Sequence, residues 1–205
     1  MSKIINLSWP YIFFNKLLSM LFLFFLTPFI MMITLFIKIT SKGPVIFKQE
    51  RLGHNKRKFF IYKFRTMVEN ADVMKDKYKH MNYSSGPTFK IENDPRFTSI
   101  GKLLSDSHLD EIPQLFNVIK GNMLLVGFRP PIAEEVKMYS SENMNRFKEY
   151  PGITSIWAVN GGHKIFSFDD WIKSDINYGK KRGCLSDALI LVKTAKLFFN
   201  YFLQR

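Results

Sequence analysis

The sequence predicts an α+β fold: a mostly helical, small membrane-associated domain with a short β unit, preceded by an apolar N-terminal segment that a proline interrupts. Three observations predict it. Residues 17–37 form a run of 21 without a formal charge, bracketed by Lys16 and Lys38, and at about 1.5 Å per residue a helix of that length matches a bilayer's hydrocarbon thickness. Residues 45–48 and 59–64 are short runs that read as strands around the polar turn Gly53-His54-Asn55-Lys56. Apolar residues then recur at helical spacing over 110–120 and 188–203.

Taken in order, residues 1–11 form an interfacial lead-in, with Trp9 and Tyr11 suited to the headgroup region. Residues 1–40 are the membrane anchor and 41–205 the globular domain. Inside the anchor, Pro28 follows Thr27 near the middle of the apolar run, where a proline removes a helix hydrogen bond and bends the axis. The segment then either bends and returns to its own face or crosses the bilayer. Equal basic flanks do not choose between the two, because the positive-inside rule needs an asymmetry. Ser41-Lys42-Gly43-Pro44 ends the anchor and leads into the strand pair. Residues 69–93 are polar and weakly periodic, a long and partly helical connection.

A central helix is expected over 110–120, with Pro113 tolerated in its first turn and Gly121 ending it in a left-handed conformation. A strand over 124–126 enters Gly127-Phe128-Arg129-Pro130-Pro131, a helix follows near 132–139, and Tyr150-Pro151-Gly152 turns the chain toward Trp157. The last helix, over 188–203, either packs on the core or lies in the membrane interface. Its aromatic density at Phe198, Phe199, Tyr201 and Phe202 favours an interfacial amphipathic helix.

Composition narrows the function classes. Thirty Lys+Arg against 17 Asp+Glu give a net charge of +13, which suits nucleic acid, anionic lipid or an anionic substrate. A nucleic-acid binder is disfavoured, since the chain has neither a reading helix nor an aromatic RNA-binding motif. Cys184 is the single cysteine, so no internal disulfide forms and a cytosolic face suits the globular part. His54, His80, His108 and His163 fall in no zinc-type spacing. A cleaved signal peptide fits poorly, because the apolar run is too long and no small-residue cleavage site follows it.

The candidate chemistry is at Asp110-Glu111, which opens the central helix within residues 107–118. A carboxylate in a helix's first turn is held ionised by the N-terminal partial charge, which suits a nucleophile or a metal ligand. Ser107 with Asp110 three residues later also matches a capping box, so a structural cap is the competing reading. The cations Arg51, Lys63, Arg65, Arg96, Lys102 and Arg129 surround the pair in sequence, and arginine forks match phosphate oxygens. Lys63 and Arg65 alternate around Phe64, which puts both cations on one face of a strand and the ring on the other. A membrane-associated carboxylate beside a cationic, Mg2+-dependent phosphate site suits phosphoryl transfer to or from a lipid phosphate, with Asp110 forming an acyl-phosphate-like intermediate.

These residues resemble the bacterial sugar transferases, the monotopic phosphoglycosyl transferases that act on polyprenyl phosphate. The matching stretches are Thr27-Pro28, residues 43–51, Tyr62-Lys63-Phe64-Arg65-Thr66-Met67, Asn93-Asp94-Pro95-Arg96, residues 109–118 and Pro151-Gly152-Ile153-Thr154. The resemblance implies a re-entrant anchor broken at Thr27-Pro28, Asp110 as nucleophile and metal-binding carboxylate, and Glu111 as its acidic neighbour. From the residues themselves, Lys63, Arg65, Arg96 and Arg129 are expected as substrate-binding cations and Mg2+ as cofactor. The resemblance also implies transfer of a phosphosugar from a UDP-sugar to undecaprenyl phosphate, with release of UMP, at the cytoplasmic face of a bacterial inner membrane. Such a step begins a surface glycan such as an exopolysaccharide, capsule or lipopolysaccharide O-antigen, with oligomers or glycan-assembly partners implied around it.

The chain departs from the family pattern where arginines are expected, at Ser105, Tyr150 and Gly162; Phe128 stands in place of a proline, Ala158 in place of a glutamine, and Asn15 where the anchor has an acid. Either other cations such as Lys102, His163 or Lys164 compensate, or the chain is a catalytically degenerate member that serves as a membrane-bound partner in a glycan-assembly complex. Donor specificity is expected in the loops around 74–89 and 156–164.

Overall fold

The computed structural model describes residues 7–83, 88–89, 91–161 and 167–203. The chain begins with α1 (Trp9–Thr40), 32 residues with Pro28 inside, long and apolar enough to cross a membrane. The helix runs on through Thr27-Pro28. There the Thr27 hydroxyl donates to the Leu23 carbonyl (2.7 Å), while Pro28 has no N–H to give the preceding turn. One side of α1 is bound to the globular part along most of its length: Asn15, Ser19, Ile33 and Ile37 are buried, and the Asn15 side-chain oxygen accepts from the Leu125 N–H (3.1 Å). Elsewhere its surface is a continuous display of Phe, Leu and Met, with Phe24 and Phe25 each more than 70% exposed.

The predicted β unit is an antiparallel ribbon of β1 (Ile46–Leu52) and β2 (Lys58–Phe64), registered from Ile46↔Phe64 to Leu52↔Lys58. An unpaired strand edge invites association. Here Asn117 covers it, donating to the Phe60 carbonyl (2.7 Å) and accepting from the Tyr62 N–H (3.1 Å).

Beyond the ribbon come α2 (Ala71–Met74), a 3-10 turn at Asp76–Met81 and α3 (Gly101–Asp106). The expected single helix over 110–120 is divided into a 3-10 turn, Leu109–Gln114, and α4 (Leu115–Ile119). Pro113 cannot donate within that turn, and the chain enters it from His108 in a left-handed conformation (φ 59°). Gly121 ends the helix with φ +80°, as expected.

The strand β3 (Leu124–Val126) pairs in parallel with β4 (Gly152–Thr154). The two backbones approach so closely that a Cβ on Gly152 would fall 2.0 Å from the Gly127 nitrogen. The helix near 132–139 is shorter than expected, α5 (Ala133–Val136), and α6 (Ile156–Val159) carries Trp157. The sequence reading gave no helix where α7 (Phe168–Lys181) runs, whereas α8 (Cys184–Leu203) extends the expected final helix toward its N-terminus.

Two apolar clusters form the core. One joins Leu115, Val118, Met123, Leu125 and Val126 to Tyr178 and Ile190, with Leu18, Leu23 and Leu26 of α1 against it. The other joins Ile33 and Ile37 to Phe64, Leu104 and Leu109, with Phe198 of α8 alongside. The phenols of Tyr11 and Tyr178 both donate to the Asp187 carboxylate, tying the start of α1 to α7 and α8.

Candidate active site

The 3-10 turn Leu109–Gln114 opens with Asp110 and Glu111, and β2 packs directly on it. The capping-box reading is corrected by the geometry. Ser107 donates instead to the carbonyls of Leu103 (2.7 Å) and Leu104 (3.3 Å), bonding back onto the preceding turn of α3.

Lys63, near the end of β2, holds both acids: its Nζ lies 3.1 Å from Asp110 Oδ2 and 2.7 Å from Glu111 Oε1. Phe64 points into the core and is 2% exposed, so the strand alternation separates cation from core as the sequence predicts. Asp110 is 5% exposed. Burial pushes its carboxyl up to about 6, with Lys63 opposing and the Glu111 charge adding. Burial also acts upward on Glu111, but Lys63 and His108 outweigh it and hold that carboxyl below its ordinary value. Asp110 Oδ1 and Glu111 Oε2 accept no hydrogen bond among the described residues.

The remaining site candidates do not converge on the acids by direct contact. Arg65, 6% exposed, turns toward the end of α1, where Nη2 donates to the Ser41 carbonyl and hydroxyl (2.8 Å each). Arg96 grips Asp94 through Nε (2.9 Å) and Nη2 (2.6 Å) and reaches the Ala71 carbonyl, fastening the long connection. Arg129 pairs with Glu135 (3.1 Å), yet its charge acts on Glu111. Lys102 is engaged by Asp106 (3.0 Å) on the exposed side of α3.

Arg51, named only as one cation among six from the sequence, emerges as a neighbour of the pair. It donates to the Pro130 carbonyl (3.0 Å) and to Gln49. Burial first, and Arg129 second, lower its guanidinium to about 10, while Glu135 and Glu111 act in the opposite sense. The available signal was ribbon parity: Arg51↔Phe59 and Phe47↔Lys63 lie on one face of the ribbon.

At the departures from the family pattern, Ser105 lies in α3. The Tyr150 ring stacks on His54 (centroids 4.1 Å apart), and its carbonyl accepts from Arg182 (3.4 Å). Gly162, His163 and Lys164 lie outside the described residues, as do parts of the loops expected to set donor specificity.

The acids are compatible with Mg2+. No three His, Cys, Asp or Glu side chains converge among the described residues, which excludes an all-protein cage there. Two adjacent carboxylates, each with an oxygen unused by the protein, fit Mg2+, which takes one or two carboxylates and completes its octahedron with water and substrate phosphate. A buried, lysine-held carboxylate beside further cations has the parts for attack on a phosphorus centre.

Comparison with known proteins gives consistent matches. Residues 9–201 match the family model of bacterial sugar transferase. The galactosyl transferase CpsE of Streptococcus agalactiae is 42% identical over 155 residues, spanning 76% of this chain and 34% of that protein. The exopolysaccharide production protein ExoY of Rhizobium meliloti is 32% identical over 185 residues, spanning 88% and 81%. The undecaprenyl-phosphate galactose phosphotransferase of Salmonella typhimurium is 36% identical over 189 residues, spanning 90% and 39%. The chain thus spans about a third and two-fifths of two of these relatives and four-fifths of the other.

Proposed function

The chain belongs to the bacterial sugar transferase family, and from that premise we propose that it moves a phosphosugar from a UDP-sugar to undecaprenyl phosphate through a covalent intermediate on Asp110. The observation that carries this reading is the single lysine, Lys63, bridging buried Asp110 and Glu111. Asp110 attacks the phosphorus that bears the sugar, and the bond from that phosphorus to the bridging oxygen breaks. UMP leaves with the electron pair, and a phosphosugar remains on the Asp110 carboxyl. An oxygen of undecaprenyl phosphate then attacks the same phosphorus and returns Asp110 as a carboxylate. Lys63 keeps the carboxylates ionised and oriented. Arg51 and Arg129 supply positive charge beside them, where phosphate oxygens gain charge-assisted bonds. Mg2+, which Asp110 and Glu111 would hold, supplies further neutralisation of the diphosphate.

The setting is the cytoplasmic face of a bacterial inner membrane, with α1 re-entrant. In support, α1 meets the globular core on both sides of Pro28, through Leu18, Leu23 and Leu26 and again through Ile30, Ile33 and Ile37. A straight span would carry about 20 residues out of reach of a domain on one side. The exposed apolar residues of α8, among them Leu185, Leu189 and Val192, suit a helix lying in the interface, and the product passes to glycan-assembly partners.

The test uses the full chain in nanodiscs with undecaprenyl phosphate, Mg2+ and a panel of UDP-sugars beginning with UDP-galactose, following UMP release. One donor should give UMP, and label from the sugar phosphate should remain on the protein when acceptor is withheld. Asp110→Asn should lose both. No UMP from any donor, or undiminished turnover in Asp110→Asn, would overturn the mechanism.

A further inference from the structure

One face of the β1–β2 ribbon carries Ile46 and Phe64 into the cluster that holds Ile33 and Ile37 of α1. Residues opposite one another in an antiparallel pair share a face, so this face continues from α1 through Lys48–Tyr62 to Glu50–Phe60. Asn117 fastens α4 to β2 at Tyr62 and Phe60, which sets Phe116 on α4 and Lys120 just past its end, one turn apart, beside those side chains.

The surface assembled there has one chemistry. Lys120 donates to the Tyr62 hydroxyl (2.7 Å) and lies 4.6 Å from the ring centroid, with Lys48 at 5.9 Å. Phe60 and Phe116 are each more than half exposed. Lys16, at the start of the uncharged run of α1, brings its Nζ 3.5 Å from where a Gly121 Cβ would stand, so the patch continues from the edge of the anchor. Its one acid, Glu50, is paired with Lys58 (2.8 Å), which leaves the lysines around Tyr62 without a carboxylate partner among the described residues.

We propose that this patch is a second membrane contact, resting on an anionic bilayer surface beside the anchor. Phe60 and Phe116 enter the boundary between headgroups and acyl chains, and Lys16, Lys48 and Lys120 meet lipid phosphates. The inference rests on reading α1 as the membrane segment. Two contacts fix the tilt of the domain, and the opposite ribbon face, with Lys63 and Arg51, is then held at headgroup level, where a lipid phosphate arrives.

The test is spin-label accessibility in nanodiscs, in a Cys184→Ser background with labels at Phe116→Cys, at Phe24→Cys as a report on α1, and at Glu142→Cys as an exposed control. In discs containing phosphatidylglycerol, the label at 116 should collide with aqueous nickel chelate at least about five-fold less than the label at 142, the factor expected of roughly one lysine's attraction to an anionic surface. Lys48→Glu with Lys120→Glu should restore that access while the label at 24 stays in lipid. Three results would overturn the proposal with α1 still inserted: a label at 116 as water-accessible as that at 142, equal shielding in pure phosphatidylcholine, or label-to-label broadening that reveals a second copy. A water-exposed label at 24 would overturn the anchor reading itself, and this proposal with it.

Discussion

One ammonium serves two carboxylates at Lys63, and that ratio decides how Asp110 titrates. Burial acts first on Asp110, and a single lysine shared with the half-buried Glu111 does not fully offset it, so Asp110 is pushed up to about 6 while Glu111 stays low. The two protons belong to the pair. Because attack needs the ionised form, kcat/KM should rise with pH through an apparent value near 6, measured as initial UMP release between pH 5 and 8. Lys63→Met should move that limb upward by a unit or more and lower turnover at pH 7 by at least about tenfold; an unmoved limb would mean that Asp110 is not the titrating group. Stability carries the opposite sign. The folded-state value exceeds the ordinary 3.8, so ionising Asp110 opposes folding above about pH 6, and the penalty is absent below about pH 4. Asp110→Asn should therefore be more stable than the parent at pH 7.5 by about 1–3 kcal/mol, with the gain shrinking at pH 4.5. Thermal melts at the two pH values check this, and a lower melting temperature for the variant at pH 7.5 would refute it.

The elements differ in how far local pattern determines them, and the post beneath Arg129 shows where pattern stops. Arg146 is fully buried, paired with Asp175 (2.6 Å), bonded to the Tyr139 hydroxyl and held between the rings of Phe128 and Trp171. Since Phe128 precedes Arg129, this stack fixes the strand end that presents Arg129. Arg146→Ala strands a buried carboxylate and should cost about 3–5 kcal/mol, with Arg146→Met milder because it fills the space. Denaturant unfolding in detergent checks both, and equal costs would show that the stranded charge, not packing, dominates. None of this was legible in the sequence, since its five members come from four separate segments. The ribbon was legible because alternation around Phe64 and a polar turn are local signals. The helix α7 carried a usable signal, Ser167 followed by Asp169 and Asp170, with Ser167 accepting from the Asp170 N–H (3.2 Å). It was obscured because its buried face includes Asp175 and Gly179 beside Trp171, Ile172 and Tyr178, which reads as polar. The parallel pairing of β3 with β4 joins three-residue strands far apart in the chain, a contact that no local pattern specifies.

At the scale of the whole molecule, α1 and the globular part are one packed body, and this limits how the chain would meet a bilayer. The uncharged run of 21 residues marked a long apolar helix, though α1 extends to 32; Asn15, Ser19, Ile33 and Ile37 share one helical face, but two of the four are polar and the rest of the helix is apolar all round, so no amphipathic stripe marked the side that the globular part covers. A helix of 32 residues is about 48 Å long against a hydrocarbon core of about 30 Å. Crossing it upright would either strip the contacts of Leu18 and Leu23 from the core or drag the domain's charged surface into lipid. Bending at Thr27-Pro28 avoids both, because the carbonyl one turn before Pro28 lacks its usual donor. Both ends of α1 should then face the cytoplasm. With Cys184→Ser as background, Ser8→Cys and Lys42→Cys should each react with an impermeant maleimide in inverted vesicles and not in right-side-out ones. Pro28→Leu restores the missing N–H and favours a straight helix, so it should transfer reactivity at Ser8→Cys to right-side-out vesicles while Lys42→Cys keeps its side. If Ser8→Cys and Lys42→Cys already react from opposite faces in the parent chain, α1 spans, and the contacts it makes on either side of Pro28 do not persist in the bilayer.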